Sequence, residues 1–464
     1  EYSDKNIPLK PRHHLPVSLK GVNQSDFAMI MGYPGSTDRF LTSYGVKQAI
    51  ETEQPARVRI RGTRLEIMKA DMDQSDKVRI QYASHYAAIA NYWKYFIGQS
   101  RGLKRLRVYE QKKAEEVAFQ EWVNADAKRK IRYGQVLSDM EAAYSELDKV
   151  IVPDVYFNEC IFGIEINTLF LKLYPLYGAL NNTDITKDQL NGVVESVRTA
   201  VKDYFKDHNA PTDAKLMAAM LRLYHSDVPA EFHPKELTDI HKKTKGDFMK
   251  WTVPYYAKSI FTDATRLDAF LKAPEMKKMK ADPGFALMLA FIDVYRTFSE
   301  RSSAASSKLA EATTLYVEGI RILRTDKKFY PNANFTMRLT YGQVLEYFPQ
   351  DGVHYLHYTT LDGIMEKEDP NNDEFVVPAR LKELWKNKDY GQYGQNGVLN
   401  VAFITNNDIT GGNSGSPVIN GNGELIGCAF DGNWEAMSGD IAFEHKLQRT
   451  ISVDIRYVLF IIDK

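Results

Sequence analysis

The order of secondary-structure patterns along the chain restricts its fold more than any other feature. Apolar runs typical of β-strands occupy residues 26–43 and return only from about residue 330 onward, and the residues between them have helical periodicity. That periodicity is clearest in one apolar stripe, formed by Tyr82, Tyr86, Ile89, Trp93 and Phe96. Because a short strand pair is not stable alone, the order predicts one β-barrel with an all-helical domain inserted into it.

The predicted fold class is therefore mixed β and α, in three segments. Residues 1–45 are predicted to hold the start of the barrel and a linker, with a Gly-Tyr-Pro-Gly turn that closes a β-hairpin. Residues 46–328 are predicted to form the inserted helical domain, in which Thr212 or Asp213 caps a helix. Residues 329–464 are predicted to complete the barrel.

The composition argues against several classes of partner. The 464 residues carry 60 basic and 60 acidic side chains, so no overall charge attracts nucleic acid or an anionic membrane. No apolar run approaches the roughly 20 residues of a membrane span. Cys160 and Cys428 are far apart in sequence, which predicts two buried free thiols rather than a metal site or a disulfide framework.

The sequence GGNSGSP at residues 411–417 sets a serine among residues with an unusually free backbone. An apolar strand, a turn at residues 421–423 and a second strand follow, and together they predict a β-hairpin. A serine becomes a nucleophile where its own amide and an amide just before it point at the same developing oxyanion. The spacing predicts that Gly412 and Ser414 supply these amides.

The motif resembles that of the chymotrypsin-like serine peptidases, with Asn413 in place of the usual Asp and Ser416 in place of the usual Gly. Wider stretches resemble the bacterial dipeptidyl-peptidase 7 and 11 family: GVNQSDFAMIMGYPGSTDRFLTS, FTMRLTYGQV, TNNDITGGNSGSPVINGNGELIGCAFDGNWEAMSGDI and LQRTISVDIRYVLFIIDK. The resemblance extends over essentially the whole chain, but over only about the C-terminal two-thirds of such a protein.

The resemblance implies a chymotrypsin-like fold in which this barrel is the second of two and the inserted helices form a cap. It implies that Ser414 is the nucleophile and that Gly412 belongs to the oxyanion hole. It also implies that Asp431 binds the α-amine of the substrate and that Gly432 lies at the specificity pocket. Oligopeptide substrates, a homodimer, a periplasmic or cell-surface location in a Gram-negative bacterium, and no cofactor or metal are further implications.

The catalytic His and Asp of that family precede the point at which this chain begins, so the resemblance implies a partner: an N-terminal segment of the same protein. His13 and His14 are predicted to lie in a solvated loop. His354 and His357 are close to Asp351 in sequence, but their segment has a strand pattern, which predicts surface histidines.

The activity that the resemblance implies is that of a serine-type dipeptidyl aminopeptidase, which releases N-terminal dipeptides through an acyl-enzyme at Ser414. Gly432 predicts a preference for a bulky apolar residue before the cleaved bond, because acidic-specific members of the family carry Arg there. Asp408 is predicted to be a structural carboxylate rather than a binding site for a basic side chain. Two alternatives stay open: an endopeptidase of the glutamyl type, and a non-catalytic fragment that acts as a binding scaffold.

Overall fold

The structure is a computed structural model that describes residues 3–464. By their contacts, these residues divide into two compact units. The first comprises the residues up to Leu41, Arg101–Leu106 and Lys328–Lys464, and the second comprises Thr42–Ser100 and Arg107–Lys327. Every strand found in the described residues belongs to the first unit, and the second unit is helical. The mixed β and α class is confirmed.

Helices follow one another without an intervening strand between Leu41 and Lys328. They are α1 (Ser43–Gln48), α2 (Gln54–Met72), α3 (Asp76–Arg105), α4 (Val108–Asn124), α5 (Ala127–Tyr133), α6 (Val136–Asp148), α7 (Ile151–Tyr156), α8 (Glu165–Asn181), α9 (Lys187–Lys202), α10 (Tyr204–Asp207), α11 (Ala210–Asp227), α12 (Lys235–Thr244), α13 (Met249–Lys258), α14 (Ala264–Lys272), α15 (Met276–Ala281) and α16 (Pro283–Leu323). Among residues 3–464, no helix combines the length and the apolar character needed to cross a lipid bilayer.

An aromatic core holds the helical unit together. The Phe170 ring meets those of Phe261 and Phe285 edge to face, with centroids 5.5 and 5.2 Å apart. Such pairs add about 0.5–1.5 kcal/mol to the free energy gained by burial. The long helix α16 starts with Asp282 as N-cap and Pro283 as its first residue. Because these rings are buried between helices, burial in the tertiary structure stabilises the helices more than intrinsic helix propensity does.

The start of α11 differs from the sequence prediction. Asn209, not Thr212 or Asp213, is the N-cap, and its side chain accepts a hydrogen bond from the Thr212 amide at 3.2 Å. Asp213 is instead fully buried and accepts hydrogen bonds from the amides of Glu165 and Ile166, both at 2.9 Å. A carboxylate in the first turn of α11 thus satisfies the first amides of α8, which the local sequence does not reveal.

The first unit is built on antiparallel strands. They are β1 (Phe27–Gly32), β2 (Arg338–Gln343), β3 (Tyr347–Gln350), β4 (Val353–Tyr355), β5 (Tyr358–Thr360), β6 (Asn400–Thr405), β7 (Ser416–Ile419), β8 (Leu425–Gly432) and β9 (Thr450–Asp454). Seven of them form one sheet in the order β2-β1-β7-β8-β9-β6-β5, and β3 pairs with β4 in a second sheet. Three helices complete the unit: α17 (Leu361–Glu366), α18 (Ala379–Lys386) and α19 (Ile455–Asp463).

The predicted first hairpin is wrong. The strand β1 is present, but the residues after its Gly-Tyr-Pro-Gly stretch lead into α1 instead of returning as a strand. β1 pairs with β2, where Met31 lies opposite Leu339, and with β7, where Met29 lies opposite Ile419. Both partners come from the far end of the chain, so the local turn signal could not indicate them.

One face of the large sheet carries its core, which contains Ala28, Ile30, Val418 and other buried apolar side chains. Burial alternates along β1 with the two-residue period of a strand. Beyond the end of β2, Val344 forms an antiparallel bridge with Thr405 of β6. The chain that continues from one edge strand therefore contacts the strand next to the opposite edge.

The second predicted hairpin is confirmed, because β7 and β8 pair on either side of a tight turn. The Asn420 amide donates to the Glu424 carbonyl at 2.9 Å, and Gly423 closes the turn with a φ of 80°. Cys160 and Cys428 are free thiols, as predicted, but only Cys160 is buried. Cys428 is half-buried because it faces away from the side of β8 that buries Ala429.

Candidate active site

Ser414 lies exposed in the turn that leads into β7. Its hydroxyl donates a hydrogen bond to the Phe430 carbonyl in β8, with 3.4 Å between the two oxygens. The Gly415 amide donates to the Ala429 carbonyl at 2.8 Å, and the Ser416 amide donates to the Asn413 carbonyl at 2.9 Å. The serine is therefore presented at the surface on a backbone that is fixed to the sheet.

In the part of the chain that the structure describes, three amides of this turn donate no hydrogen bond, and they are those of Gly411, Gly412 and Ser414. The Asn413 amide donates to the Thr410 carbonyl at 3.1 Å. Gly412 has a φ of 104°, a conformation that favours glycine. The amides of Gly412 and Ser414, close to one exposed hydroxyl, are the kind of donors that a developing oxyanion requires.

The segment Tyr33–Gly35 packs against the turn from the side of β1. The Gly35 amide donates to the Gly411 carbonyl at 2.6 Å. A Cβ on Gly412 would collide with the Tyr33 carbonyl oxygen, and a Cβ on Gly32 would collide with Oγ of Ser416. The close approach of two backbones therefore requires glycine at position 412, and a side chain at position 32 would displace the Ser416 side chain.

Asn413 replaces the Asp of the chymotrypsin-like motif for a local reason. It is buried, and its side-chain amide donates to the Thr410 carbonyl at 3.1 Å. A carboxylate at this position would face that carbonyl oxygen without a hydrogen to share, so burying its charge would be costly. The Asn413 side chain therefore stabilises the turn through a hydrogen bond within the turn itself.

Asp408 is held by Arg39. The guanidinium Nη1 and Nη2 of Arg39 donate to the two carboxylate oxygens at 2.9 and 2.8 Å, and the two side chains are 26% and 36% exposed. The Asp408 amide also donates to Oγ1 of Thr340 at 3.0 Å. These contacts agree with the prediction that Asp408 is structural, and they fix the loop that leads to Ser414.

We expect the Arg39–Asp408 pair to stabilise the first unit measurably. In a double-mutant cycle of Arg39→Gln and Asp408→Asn, the coupling free energy should be about 1–1.5 kcal/mol, because the pair is bidentate and partly buried. Urea denaturation of the wild type, the two single variants and the double variant gives this energy. The matched control is Arg380–Glu383, a pair 57% and 58% exposed, for which the coupling should stay below about 0.5 kcal/mol. Equal coupling in both pairs would contradict a structural role for Arg39.

Asp431 and Gly432 end β8, directly after the residue whose carbonyl accepts the Ser414 hydroxyl. Asp431 is exposed, and its Oδ1 accepts a hydrogen bond from the Gly432 amide at 2.8 Å. The pairing of β8 with β9 shifts register between Ala429 and Asp431, which is the mark of a bulge that bends the strand end. The fold thus brings the sequence-predicted residues Gly412, Ser414, Asp431 and Gly432 to one end of adjacent strands.

Two exposed aromatic residues lie two positions before and two positions after Gly432. Phe430 is 49% exposed and Trp434 is 55% exposed. A Cβ on Gly432 would lie 3.0 Å from the Cβ of Ala436, so a side chain fits there only if the 3₁₀ turn at Trp434–Ser438 shifts by a few tenths of an ångström. Gly432 itself is therefore closely packed, and the exposed apolar surface at this end of β8 comes from Phe430 and Trp434.

Two arginines of this unit are already committed to protein partners. The backbone carbonyl of Arg449 lies beside Gly432. Its buried guanidinium donates at 2.7–3.0 Å to four other backbone carbonyls, those of Leu345, Glu346, His445 and Gln448. Arg105 forms an ion pair with Glu435 at 3.5 Å. The donors of Arg449 are therefore used by the backbone, and Arg105 already has a carboxylate partner.

His354 and His357 do not pair with Asp351. His354 Nε2 lies 2.8 Å and His357 Nδ1 lies 3.3 Å from the two carboxylate oxygens of Glu346. Between residues 3 and 464, no histidine is hydrogen-bonded to Ser414, whose hydroxyl contacts the β8 backbone instead. These two histidines form a separate polar cluster, and His357, which is only 14% exposed, is more buried than the sequence predicted.

The N-terminal histidines lie outside regular structure. His13 and His14 are exposed, as predicted, and their rings stack with centroids 6.2 Å apart. In this solvated position, neither ring is hydrogen-bonded to a carboxylate of the described residues that could orient it.

One buried polar cluster, in the helical unit, has the composition of a metal site. Glu165, His208 and Asp213 each offer a ligand atom within 4.8 Å of the others. However, His208 Nδ1 lies 3.1 Å from the Glu165 carboxylate, and Asp213 accepts the Tyr256 hydroxyl in addition to two amides. Burial raises the pKa of Asp213 to about 6, so a proton can neutralise this carboxylate. That the activity needs no metal stays a prediction.

Sequence reasoning missed the groups that hold the serine turn in place. These are the Phe430 and Thr410 carbonyls, and the side chain of Arg39. Backbone carbonyls leave no trace in a sequence, and Arg39 lies 369 positions from Asp408. The Gly-Tyr-Pro-Gly stretch was a usable signal, but it marks close backbone packing rather than a hairpin.

Comparison with known proteins gives one consistent family. The model of the family "Peptidase S46" matches residues 1–464. Dipeptidyl-peptidase 7 of Phocaeicola vulgatus is 46% identical over 467 residues, and an Asp/Glu-specific dipeptidyl-peptidase of Flavobacterium psychrophilum is 39% identical over 470 residues. The crystal structure of Porphyromonas endodontalis DPP11 in complex with the dipeptide Arg-Glu superposes with a TM-score of 0.88 at 33% identity.

The relatives are longer than this chain. Each of the two curated alignments covers 100% of the chain but 64% of the relative, and the structural match covers 100% of the chain and 66% of the solved one. The chain therefore spans less than two-thirds of the length of the proteins that it resembles.

Proposed function

The chain belongs to the peptidase S46 family, and from this premise we propose that it carries the nucleophile of a serine exopeptidase that releases N-terminal dipeptides from oligopeptides. The observation that carries the proposal is the environment of Ser414: an exposed hydroxyl on a fixed turn, beside the amides of Gly412 and Ser414, which donate no hydrogen bond among the described residues. Acyl transfer requires both such a hydroxyl and such donors.

In the proposed reaction, Oγ of Ser414 attacks the carbonyl carbon of the second peptide bond while an imidazole takes the hydroxyl proton. The amides of Gly412 and Ser414 stabilise the negative charge that develops on the carbonyl oxygen. The C–N bond then breaks, the imidazole returns the proton to the leaving amine, and the shortened peptide departs. Water hydrolyses the remaining ester, and the dipeptide leaves.

The imidazole and its orienting carboxylate are proposed to come from a segment of the same protein that precedes Glu1. Two observations support this source. The curated relatives extend well beyond the matched region, and the two histidines next to the sheet, His354 and His357, already share Glu346.

An exposed apolar face gives that segment a place to pack. Met31 of β1 and Leu339 and Tyr341 of the edge strand β2 are 36%, 55% and 66% exposed, and they lie on the face of the sheet opposite the core. An exposed apolar face beside the edge strand of a sheet is unusual on the surface of a soluble protein. A second β-unit that packs there would cover it.

Asp431 is proposed to bind the α-amine of the substrate. Its carboxylate lies one residue beyond the carbonyl that accepts the Ser414 hydroxyl, and its hydrogen bond from the Gly432 amide fixes its orientation. A substrate that is extended along the end of β8 therefore brings its terminal ammonium to this carboxylate after two residues. An endopeptidase has no need of a carboxylate at this position.

The residue before the cleaved bond is proposed to be bulky and apolar. Gly432 carries no side chain that could pair with a carboxylate, Phe430 and Trp434 supply exposed apolar surface, and the guanidinium of Arg449 is already bonded to the backbone. The names of the relatives include both dipeptidyl-peptidase 7 and Asp/Glu-specific dipeptidyl-peptidase. Side-chain preference therefore has to be measured for this protein.

The test is a peptide panel that varies only the second residue, with the released dipeptides identified by mass spectrometry. We expect the full-length wild type to favour Leu, Met and Phe at that position over Asp and Glu. Gly432→Arg should shift the preference toward Asp and Glu by about 10-fold or more, because a guanidinium can pair with the substrate carboxylate.

Gly432→Ala is the matched control, since it makes the same contact with Ala436 but adds no charge. It should leave the order of preference unchanged. A wild type that already prefers acidic residues would overturn the apolar pocket. Cleavage inside the peptides, without release of dipeptides, would favour the endopeptidase alternative, and Ser414-independent binding without cleavage would favour a scaffold.

The architecture is proposed to be a chymotrypsin-like barrel. Six strands in the order β2-β1-β7-β8-β9-β6 support this, together with the bridge from Val344 back to Thr405. In this proposal residues 1–45 and 329–464 form the barrel, and residues 46–328 are the inserted helical cap domain. A homodimer and a periplasmic or surface location remain predictions from the sequence resemblance.

A further inference from the structure

The strand order gives Ser414 two different neighbours. Its turn leads into β7, and β7 lies between β8 and β1 in the sheet. The first residue of β7, Ser416, pairs with Ala429 of β8 on one side and packs against Gly32 of β1 on the other. A substrate that enters along β8 therefore leaves the serine on the side of β1.

On the side of β1, the most exposed aromatic side chain has an unusual backbone. Phe335 is 72% exposed, and its φ of 61° lies in the left-handed region. A bulky residue in that region is an outlier, and such outliers persist only where the surrounding structure imposes them. The amide of Phe335 lies 2.9 Å from the Pro34 carbonyl and 3.2 Å from the Gly35 carbonyl, and donates to both.

The loop that carries Phe335 is fixed by several hydrogen bonds. The Ala333 amide donates to Oγ1 of Thr37 at 2.9 Å, and the Arg39 amide donates to the Asn332 side chain at 3.0 Å. The Arg338 guanidinium also donates to the Pro331 and Asn332 carbonyls at 3.1 and 3.0 Å, which holds the loop from its other end. The exposed ring is therefore attached to a rigid support rather than to a mobile loop.

The Phe335 ring lies close to the serine turn, and Gly35 lies next to both of them. A Cβ on Gly35 would lie 3.0 Å from Cζ of Phe335 and 3.0 Å from the Gly411 carbonyl oxygen. Gly411 directly precedes Gly412, whose amide is one of the two proposed oxyanion donors. The Phe335 ring thus lies beside the turn, on the flank away from Asp431.

We propose that Phe335 forms the subsite for the residue that follows the cleaved bond, and that this subsite prefers an apolar or aromatic side chain. The inference rests on the proposed function, because it needs the amine end of the substrate at Asp431. With that end at β8, the leaving peptide crosses Gly412 and meets the Phe335 ring. Contact between an aromatic ring and an apolar side chain removes surface from water and favours such residues over glycine.

The subsite acts only while the leaving peptide is attached. It affects the attack on the peptide bond, which kcat/KM reports, and it has no contact with the dipeptide ester that remains on Ser414. Hydrolysis of a dipeptide methyl ester, whose leaving group is methanol, is therefore independent of the Phe335 ring. This difference separates the subsite from the rest of the catalytic machinery.

The experiment compares two peptides that differ only in their third residue, Phe or Gly, with the methyl ester of their common N-terminal dipeptide. In the full-length wild type, kcat/KM should be about 3- to 10-fold higher for the Phe peptide. Phe335→Ala should bring this ratio close to one and leave ester hydrolysis within about twofold. Phe335→Gly should do the same, and its backbone adopts the observed φ without strain.

Phe348→Ala is the matched control. Phe348 is 66% exposed in β3, and its ring stacks on His354 with centroids 4.3 Å apart, so its removal should keep the Phe-to-Gly ratio. An unchanged ratio in both Phe335 variants, with ester hydrolysis intact, would overturn the subsite and leave the proposed function standing. Absence of any hydrolysis that depends on Ser414 would overturn the proposed function, and the subsite with it.

Discussion

Replacing Ser414 with alanine should lower kcat for dipeptide release by the full-length protein on the order of 10⁴- to 10⁶-fold, because the acyl-enzyme can no longer form. The substitution removes one exposed oxygen whose hydrogen bond to the Phe430 carbonyl is long, at 3.4 Å. The free energy of unfolding should therefore change by less than about 0.5 kcal/mol. Steady-state kinetics and denaturation of the same samples check both statements.

Ser36→Ala is the control for this prediction. Ser36 is also exposed, and it follows directly after the Tyr33–Gly35 segment, so its removal should leave kcat within about twofold of the wild type. A Ser414→Ala variant that keeps more than a tenth of the wild-type kcat would show that another residue is the nucleophile.

Asp431→Ala should lower kcat/KM for peptides with a free N-terminus by roughly two to three orders of magnitude. Deleting one partner of a desolvated ammonium–carboxylate contact costs about 3–4 kcal/mol, and 1.4 kcal/mol corresponds to a factor of ten. An N-acetylated peptide of the same sequence offers no ammonium. It should be a poor substrate for the wild type, and the substitution should change its kcat/KM little.

Asp431→Asn separates charge from structure. An Asn side chain can still accept the hydrogen bond that the Gly432 amide donates to Asp431. If Asp431 binds the ammonium, Asn and Ala should lose activity to a similar extent on free peptides. If Asn behaves like the wild type, or if both variants lose as much on blocked as on free peptides, Asp431 only holds the end of β8 together.

The sequence was informative where function depends on local turn chemistry. The GGNSGSP stretch predicts a serine on a glycine-rich turn before a hairpin, and the structure contains both, because positive φ at Gly412 and Gly415 is a local requirement of the backbone. The α-helical block was also readable, because its apolar period extends over many turns.

Long-range partners were not readable from the sequence. The strand β1 pairs with β2 and β7 rather than with its own neighbour, and Asp213 satisfies the start of α8 rather than of α11. In both cases the partner is an element that is distant in sequence, and nothing in the local sequence indicates the contact. Phe335 is a further example, because only the structure reveals its left-handed backbone and its position beside Gly35.

The most direct test of the central claim, that Ser414 is a nucleophile activated from outside this chain, is covalent labelling with a fluorophosphonate followed by peptide mapping. The full-length protein should carry the adduct on Ser414, and a Ser414→Ala variant should carry none. The isolated 464-residue chain should react with the reagent at least about 100-fold more slowly, since general-base catalysis contributes 10²–10⁴-fold. An adduct on another residue, or equally fast labelling of the isolated chain, would contradict the account.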